Sequence, residues 1–249
     1  MIDERIAQRR RQVRDQRRRH RLRRTVVIVV LLAIVAAFVV VERSDLVGLE
    51  EVRVVGTQRL TPEQVTEAAD LPLGTSPLRL RLDAAEERVE ALPLVFEARS
   101  RRVDPLTVEI VVVERVPAVN ARHGDERVMI DRHGVVVAEG NLAGLPQIVL
   151  AADPPRPGER VDAAPALANA HRAWQQISGP VRAEVVRYDA DGPDLLDLQL
   201  ASGVTVRFGR AERVDEKVRA LGAVLEDLHD TEVATIDVRA PSTPVVTPP

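Results

Sequence analysis

From Thr25 to Val41 the chain reads TVVIVVLLAIVAAFVVV, seventeen residues without a charge. At 1.5 Å per residue such a run spans about 25 Å as a helix, the short end of what crosses a hydrocarbon layer about 30 Å thick. A helix buried in a soluble core would keep a polar face, and this stretch has none. The pattern predicts a transmembrane helix over residues 25–41. Val35-Ala36-Ala37 offers a weak leader-cleavage site. However, the apolar run continues through Phe38–Val41, and the charged segment before it is long for a leader, so the run reads as an anchor.

Beyond it the periodicity changes twice. Val52, Val54 and Gly56 mark an extended segment that ends in a turn. Thr61-Pro62-Glu63-Gln64 then supplies an N-cap, a proline at the first helical position and a glutamine at capping-box spacing, with Leu60 and Val65 at the staple positions. This predicts a helix ending near Asp70, before Pro72 and Gly74. Asp83 and Glu86 repeat the capping-box spacing, so a second helix carrying Val89 and Leu92 is expected to stop at Pro93. Two strands follow, Val95–Val103 and Leu106–Arg115, with Asp104-Pro105 as the turn between them. The second is apolar on both faces, as expected for a covered strand. The predicted order is β-α-α-β-β within residues 42–117.

Residues 118–240 read as a mostly antiparallel β domain with two helices. Val128–Ile130 and Val135–Val137 flank the turn Asp131-Arg132-His133-Gly134. Leu196, Leu198 and Leu200 alternate with polar neighbours, as do Val204, Val206 and Phe208 after Ala201-Ser202-Gly203, a hairpin pattern. Leu167, Ala170, Trp174 and Ile177 predict one face of a helix over 165–178 that stops at Gly179-Pro180. Val214, Val218, Leu221, Leu225 and Leu228 predict another over 212–229. A last strand, Ala234–Arg239, precedes a Pro-rich tail, 241–249, expected to be extended or disordered.

Charge adds a direction to this layout. Within residues 1–24, eleven Arg stand against three acids, a net of +8, whereas the remaining 24 basic and 35 acidic groups give −11. Arginines before the apolar run and acids after it place the arm in the cytoplasm and the rest of the chain outside. The arm lacks interleaved aromatics, so contact with anionic lipid is expected and nucleic acid is not. The chain has no Cys, which excludes disulfides, thiolate metal sites and a Cys nucleophile. His20, His123, His133, His171 and His229 show no metal-ligand spacing. With Lys217 as the sole lysine no S-x-x-K is possible, and neither G-x-S-x-G nor a P-loop occurs. Asp131 and Gly134 are accounted for by an Asx turn. Glu114-Arg115 is either a link between the two units or a pair of solvated charges. No catalytic residue, cofactor or metal is therefore expected.

Several short motifs occur in a particular order. Val54 and Gly56 fit V-x-G; Leu92-Pro93-x-Val95 and Ala98 enter the second strand; Ala98, Arg102 and Pro105 fit A-x-V-x-R-x-W-P, broken at Ser100 and Asp104. Glu114-Arg115-x-Pro117 stands at the boundary between the units, Asp131 and Gly134 fit D-x-x-G, and Lys217 and Ile236-Asp237-x-Arg239 close the series. On these residues the chain resembles the FtsQ/DivIB family of bacterial cell-division proteins, of an actinobacterial kind.

The resemblance implies an N-terminal transmembrane helix, a POTRA domain over 42–117 and a β domain over 118–240. It also implies a non-enzymatic scaffold at the division septum, joined to two single-pass partners, FtsB and FtsL, to control septal peptidoglycan synthesis. The POTRA domain would serve recruitment, and the C-terminal edge of the β domain would receive a strand from FtsB. The residues alone leave it open whether the last strand lies at an edge or inside the sheet. The resemblance favours the edge, with Thr235, Ile236, Asp237, Val238 and Arg239 as the partner-binding strand and Glu114, Arg115 and Pro117 as the domain junction. Two other classes compete: a POTRA-bearing envelope transport or assembly factor, and an anchored cell-wall enzyme. The first usually carries a series of barrel strands, which the pattern lacks. The second lacks a recognisable nucleophile.

Overall fold

The computed structural model describes residues 23–36, 48–76, 79–227 and 233–248. Residues 23–36 form helix α1, whose valines, leucines and isoleucines are exposed around the whole circumference. Among the described residues no helix is long and apolar enough to cross a membrane. Residues 37–41 of the expected span, and the arginine arm up to Leu22, lie outside the described residues.

The first folded unit runs β1 (Glu51–Val55), α2 (Pro62–Ala69), α3 (Leu82–Glu90), β2 (Val95–Arg102) and β3 (Thr107–Glu114), the β-α-α-β-β order expected. Its sheet has the order β1-β3-β2, with β1 parallel and β2 antiparallel to the central β3. The expectation of a strand covered on both faces holds for one face only, since Val113 on the side away from the helices is 49% exposed. Val108, Ile110 and Val112 meet Val65, Ala69, Ala85 and Val89 of the two helices in one buried cluster. Helix α2 starts as its sequence dictates. The Thr61 hydroxyl accepts from the Gln64 N–H at 3.3 Å and the Gln64 side chain accepts from the Thr61 N–H at 2.9 Å. Asp70 ends the helix in the left-handed region, at φ 45°.

Helix α3 departs from expectation. Its N-cap is Arg81, without a side-chain bond, and no capping box forms. Glu86 is drawn across to the sheet instead, where it accepts from the Ser100 N–H at 2.6 Å and the Ser100 hydroxyl at 2.7 Å. Glu90 likewise accepts from the Ala98 N–H at 3.1 Å. Ala98 and Ser100 point their N–H groups away from β3. The two glutamates thus satisfy donors along the outer edge of β2, which outweighs one helix-end bond.

The second unit is a nine-stranded sheet of order β12-β11-β10-β9-β8-β7-β4-β5-β6. In chain order these are β4 (Pro117–His123), β5 (Glu126–Asp131), β6 (Val136–Glu139), β7 (Gln147–Leu150), β8 (Val185–Gly192), β9 (Leu195–Leu200), β10 (Thr205–Arg207), β11 (Thr235–Asp237) and β12 (Val245–Thr247). The joins β4–β7, β7–β8 and β10–β11 are parallel and the others antiparallel. The predicted hairpin is β9–β10, which pairs Leu198 with Val206. Helices α4 (Pro165–Gln176), α5 (Gly179–Glu184) and α6 (Val214–Asp227) cover one face of the sheet. There Ile148, Tyr188, Leu198, Val206 and Ile236 form one cross-strand row, and Leu167, Trp174 and Leu221 pack against the same core.

Two features in this unit go beyond the expectation. Gly179-Pro180 does not merely stop α4 but opens α5, because a proline costs nothing in the first turn of a helix. The Pro-rich tail contains β12, paired antiparallel to β11. Leu228 of the expected α6 face lies outside the described residues.

Candidate partner edge and domain junction

Strand β11 is short, but its position is firmly fixed. Its partner β10 leads into a loop, 208–211, that is anchored from two helices. The Lys217 ammonium, 4% exposed, donates to the carbonyls of Phe208 at 2.8 Å and Arg210 at 2.7 Å. The Asn169 amide donates to the Gly209 carbonyl at 3.0 Å and accepts from the Ala211 N–H at 2.7 Å. Burial pushes the Lys217 ammonium below its usual value. Two backbone bonds orient β11 itself. The Thr205 N–H donates to Ala234 O at 3.0 Å and the Val238 N–H donates to Arg207 O at 3.0 Å. In a parallel ladder alternate residues face the same neighbour. Ile236 and Val238 therefore turn their backbone groups to β10, and Thr235 and Asp237 turn theirs the other way.

That other side is occupied in this structure. Thr235–Arg239 is not the outermost segment of the sheet, because β12 pairs with it as Thr235↔Thr247, Ile236↔Val246 and Asp237↔Val245. Ile236 and Val238 are buried in the core. Arg239 folds back on Asp237: its N–H and its Nε both donate to Oδ1 at 3.0 Å. This guanidinium, more than any other group, holds the Asp237 carboxyl below the usual range. On the same open face Asp197 faces Asp189 and Arg207 across the sheet. Burial, then the charges of Asp189 and Asp191, push its carboxyl upward against the opposing pull of Arg207.

Glu114 and Arg115, adjacent in sequence, hold different things. The Glu114 carboxylate accepts from the N–H groups of Gln58 at 2.7 Å, Arg59 at 2.9 Å and Leu60 at 2.9 Å, fixing the loop that leads into α2. Burial works against its ionisation, but the three N–H donors and the Arg59 charge outweigh it, and the carboxyl stays below its ordinary value. A folded value lower than the unfolded one gives stability that is present above the unfolded value, about 4.5, and lost as pH falls through the folded one. Glu114→Gln should therefore destabilise the first unit by about 1 kcal/mol near neutral pH, a figure discounted for partial exposure. Urea melts of the two forms should converge as the pH falls through the lowered folded value. A difference that persists unchanged into acid would mean that the charge is not what holds the loop.

Arg115 reaches into the second unit. Its Nη1 donates to Asp131 Oδ2 at 2.9 Å, and Asp131 is 2% exposed. Oδ1 of Asp131 accepts from the N–H groups of His133 and Val135, both at 2.8 Å, which is the Asx turn that the sequence suggests. The turn is held on every side. His171, buried on α4, is bonded through Nε2 to the Asp131 carbonyl at 3.1 Å; Gln175 donates to Arg132 O at 2.6 Å and Arg160 to His133 O at 3.0 Å. Burial pushes the His171 imidazole below its usual value. Gly134 sits at φ 78°, and a Cβ there would come within 2.9 Å of Val161 Cγ2. From the first unit Phe96 stacks on His133 with ring centroids 5.2 Å apart, and the Arg115 guanidinium lies 5.3 Å from the Phe96 ring centre. Pro117 opens β4 opposite Asp131, at a strand start where a missing N–H is tolerated. The sequence carried no signal for Phe96 and His133, whose contact crosses between the units. Among the described residues no group of three or more His, Asp or Glu could hold a metal ion.

Comparison with known proteins gives a consistent result across the folded part. The model described as "POTRA domain, FtsQ-type" matches residues 47–115, and "Cell division protein FtsQ/DivIB, C-terminal" matches residues 118–239. Among similar curated proteins, a "Cell division protein FtsQ" of Mycolicibacterium smegmatis is 33% identical over 203 residues, covering 82% of this chain and 58% of the relative. The protein of the same description from Mycobacteroides abscessus is 30% identical, covering 82% and 62%. That of Streptomyces bingchenggensis is 31% identical, covering 82% and 77%. The chain thus spans less than two thirds of the mycobacterial relatives and about three quarters of the streptomycete one.

Proposed function

The chain belongs to the FtsQ/DivIB family of cell-division proteins, and from that premise we propose that it is a non-enzymatic divisome scaffold. It joins FtsB-like and FtsL-like membrane partners at the septum and so controls septal peptidoglycan synthesis. The observation that carries this reading is the tandem match of both family modules, in order, across residues 47–239. The proposed organisation is a cytoplasmic arginine-rich tail over 1–24 that touches anionic lipid, a transmembrane helix over 25–41, a POTRA domain over 42–117, a β domain over 118–240 and a tail over 241–249. The apolar circumference of α1 supports the membrane helix, since exposed side chains of that kind need lipid around them. The FtsB-like partner adds a strand beside β11, on the side towards which Thr235 and Asp237 turn their backbone groups.

The test is placement in dividing cells. A fluorescent fusion should form a band at midcell in constricting cells, and a reporter active only outside the cytoplasm should work after Pro249 and fail before Arg5. Fractionation with the outer envelope would favour a transport or assembly factor. Peptidoglycan-cleaving or -linking activity of the purified chain would favour an enzyme. Either outcome overturns the scaffold reading.

A further inference from the structure

We infer that β12 is a displaceable occupant of the partner edge: the tail strand shields β11 until an incoming strand replaces it. The inference rests on the reading that a partner strand adds beside β11, and it adds the regulation of that site. All three residues of β12 are exposed, Val245 at 60% and Val246 at 38%. Val246 extends the buried row that ends at Ile236, yet most of the burial that fixes Ile236 does not reach it. Pro244 and Pro248 stand on either side of the strand. Neither has an N–H to donate, so β12 cannot lengthen in either direction. For the same reason its outer edge is a poor template for a further strand, and a partner gains more by taking the place of β12 than by adding to it.

The connection between β11 and β12 keeps the tail close. Seven residues separate Asp237 from Val245, with a turn closed by the Thr243 N–H on the Ala240 carbonyl at 3.1 Å. A tether that short gives the tail a high effective concentration at the edge, so a weak, three-residue strand still excludes casual strand partners. A specific partner needs what the tail lacks: an extended segment of five or more residues without proline, with a large apolar side chain opposite Ile236 and polar ones opposite Thr235 and Asp237. Such a strand could reach the backbone beyond Asp237, where the tail does not pair.

The experiment uses the full chain in lipid nanodiscs and, as probe, the purified extracytoplasmic part of the FtsB-like protein from the same organism. Two variants report on the tail. One removes residues 243–249. The other carries Thr235→Cys and Thr247→Cys, facing positions in an antiparallel pair at about 5.5 Å between Cα atoms, within disulfide range. No other cysteine competes.

The expected results are about tenfold tighter binding by the deletion variant, because the open edge no longer has to be populated first. The oxidised pair should bind no probe, and reduction should restore binding. Amide exchange at Thr235 and Asp237 should speed up on deletion, while Val238, bonded to Arg207, stays protected. If the deletion variant binds no better than the parent, or the oxidised pair binds as well as the reduced one, while Thr235→Pro abolishes binding, the edge reading stands and the displacement inference is overturned. If Thr235→Pro binds normally as well, the edge itself is wrong and both fall.

Discussion

Replacing Asp131 with alanine is expected to cost about 3–5 kcal/mol, the largest single loss available at the junction. The change removes the acceptor of two backbone N–H groups at 2.8 Å and leaves Arg115, itself mostly enclosed, without its counter-charge. Breaking one side of a buried pair is more damaging than removing both, because the remaining charge keeps its desolvation cost. Arg115→Met in the Asp131→Ala background should therefore recover part of the loss. Asp131→Asn, which can still accept the two turn bonds, should cost less than alanine. Thermal unfolding of the four forms in detergent checks this. Equal losses for alanine and asparagine would mean that the ion pair, and not the turn, carries the stability. A junction that melts independently of both units would contradict the bridging role of the turn.

The second large effect concerns partner binding. Thr235→Pro should abolish binding of the FtsB-like probe and leave the fold intact, because the N–H it removes faces away from β10. Val238→Pro should behave differently. Its N–H bonds to Arg207 O at 3.0 Å inside the sheet, and its side chain is buried, so the change should destabilise the β domain itself. The pair separates loss of an interface from loss of a fold. Pull-down with circular dichroism decides it: if Thr235→Pro unfolds the domain and Val238→Pro does not, the assigned direction of the β11 backbone is reversed.

Local chemistry explains what the sequence made legible. Helix α2 could be read almost to the residue because its start and stop lie in its own neighbours: Thr61, Pro62, Gln64 and Asp70. The hairpin β9–β10 was legible for the same reason, through strict alternation on both sides of Gly203. The capping box expected at α3 failed because Glu86 found a distant donor in Ser100, and no periodicity announces that competition. Strand β12 was hidden by composition. Its three residues, flanked by prolines, read as an extended or disordered tail, and only pairing with β11 makes them a strand. At the junction, Glu114, Arg115 and Asp131 could be singled out as residues. That Arg115 pairs with Asp131, while Glu114 serves the loop at 58–60, depends on tertiary placement.

The glutamates of α3 have a consequence for crowding. Wherever copies of the chain crowd together, an open strand edge invites them to polymerise through their backbones. On the β2 side of the first unit that route is closed, since carboxylates from the chain's own helix already occupy the Ala98 and Ser100 donors. An approaching strand would have to displace both carboxylates before its own carbonyls could reach those donors. Copies can therefore pack along this flank without fusing into a common sheet.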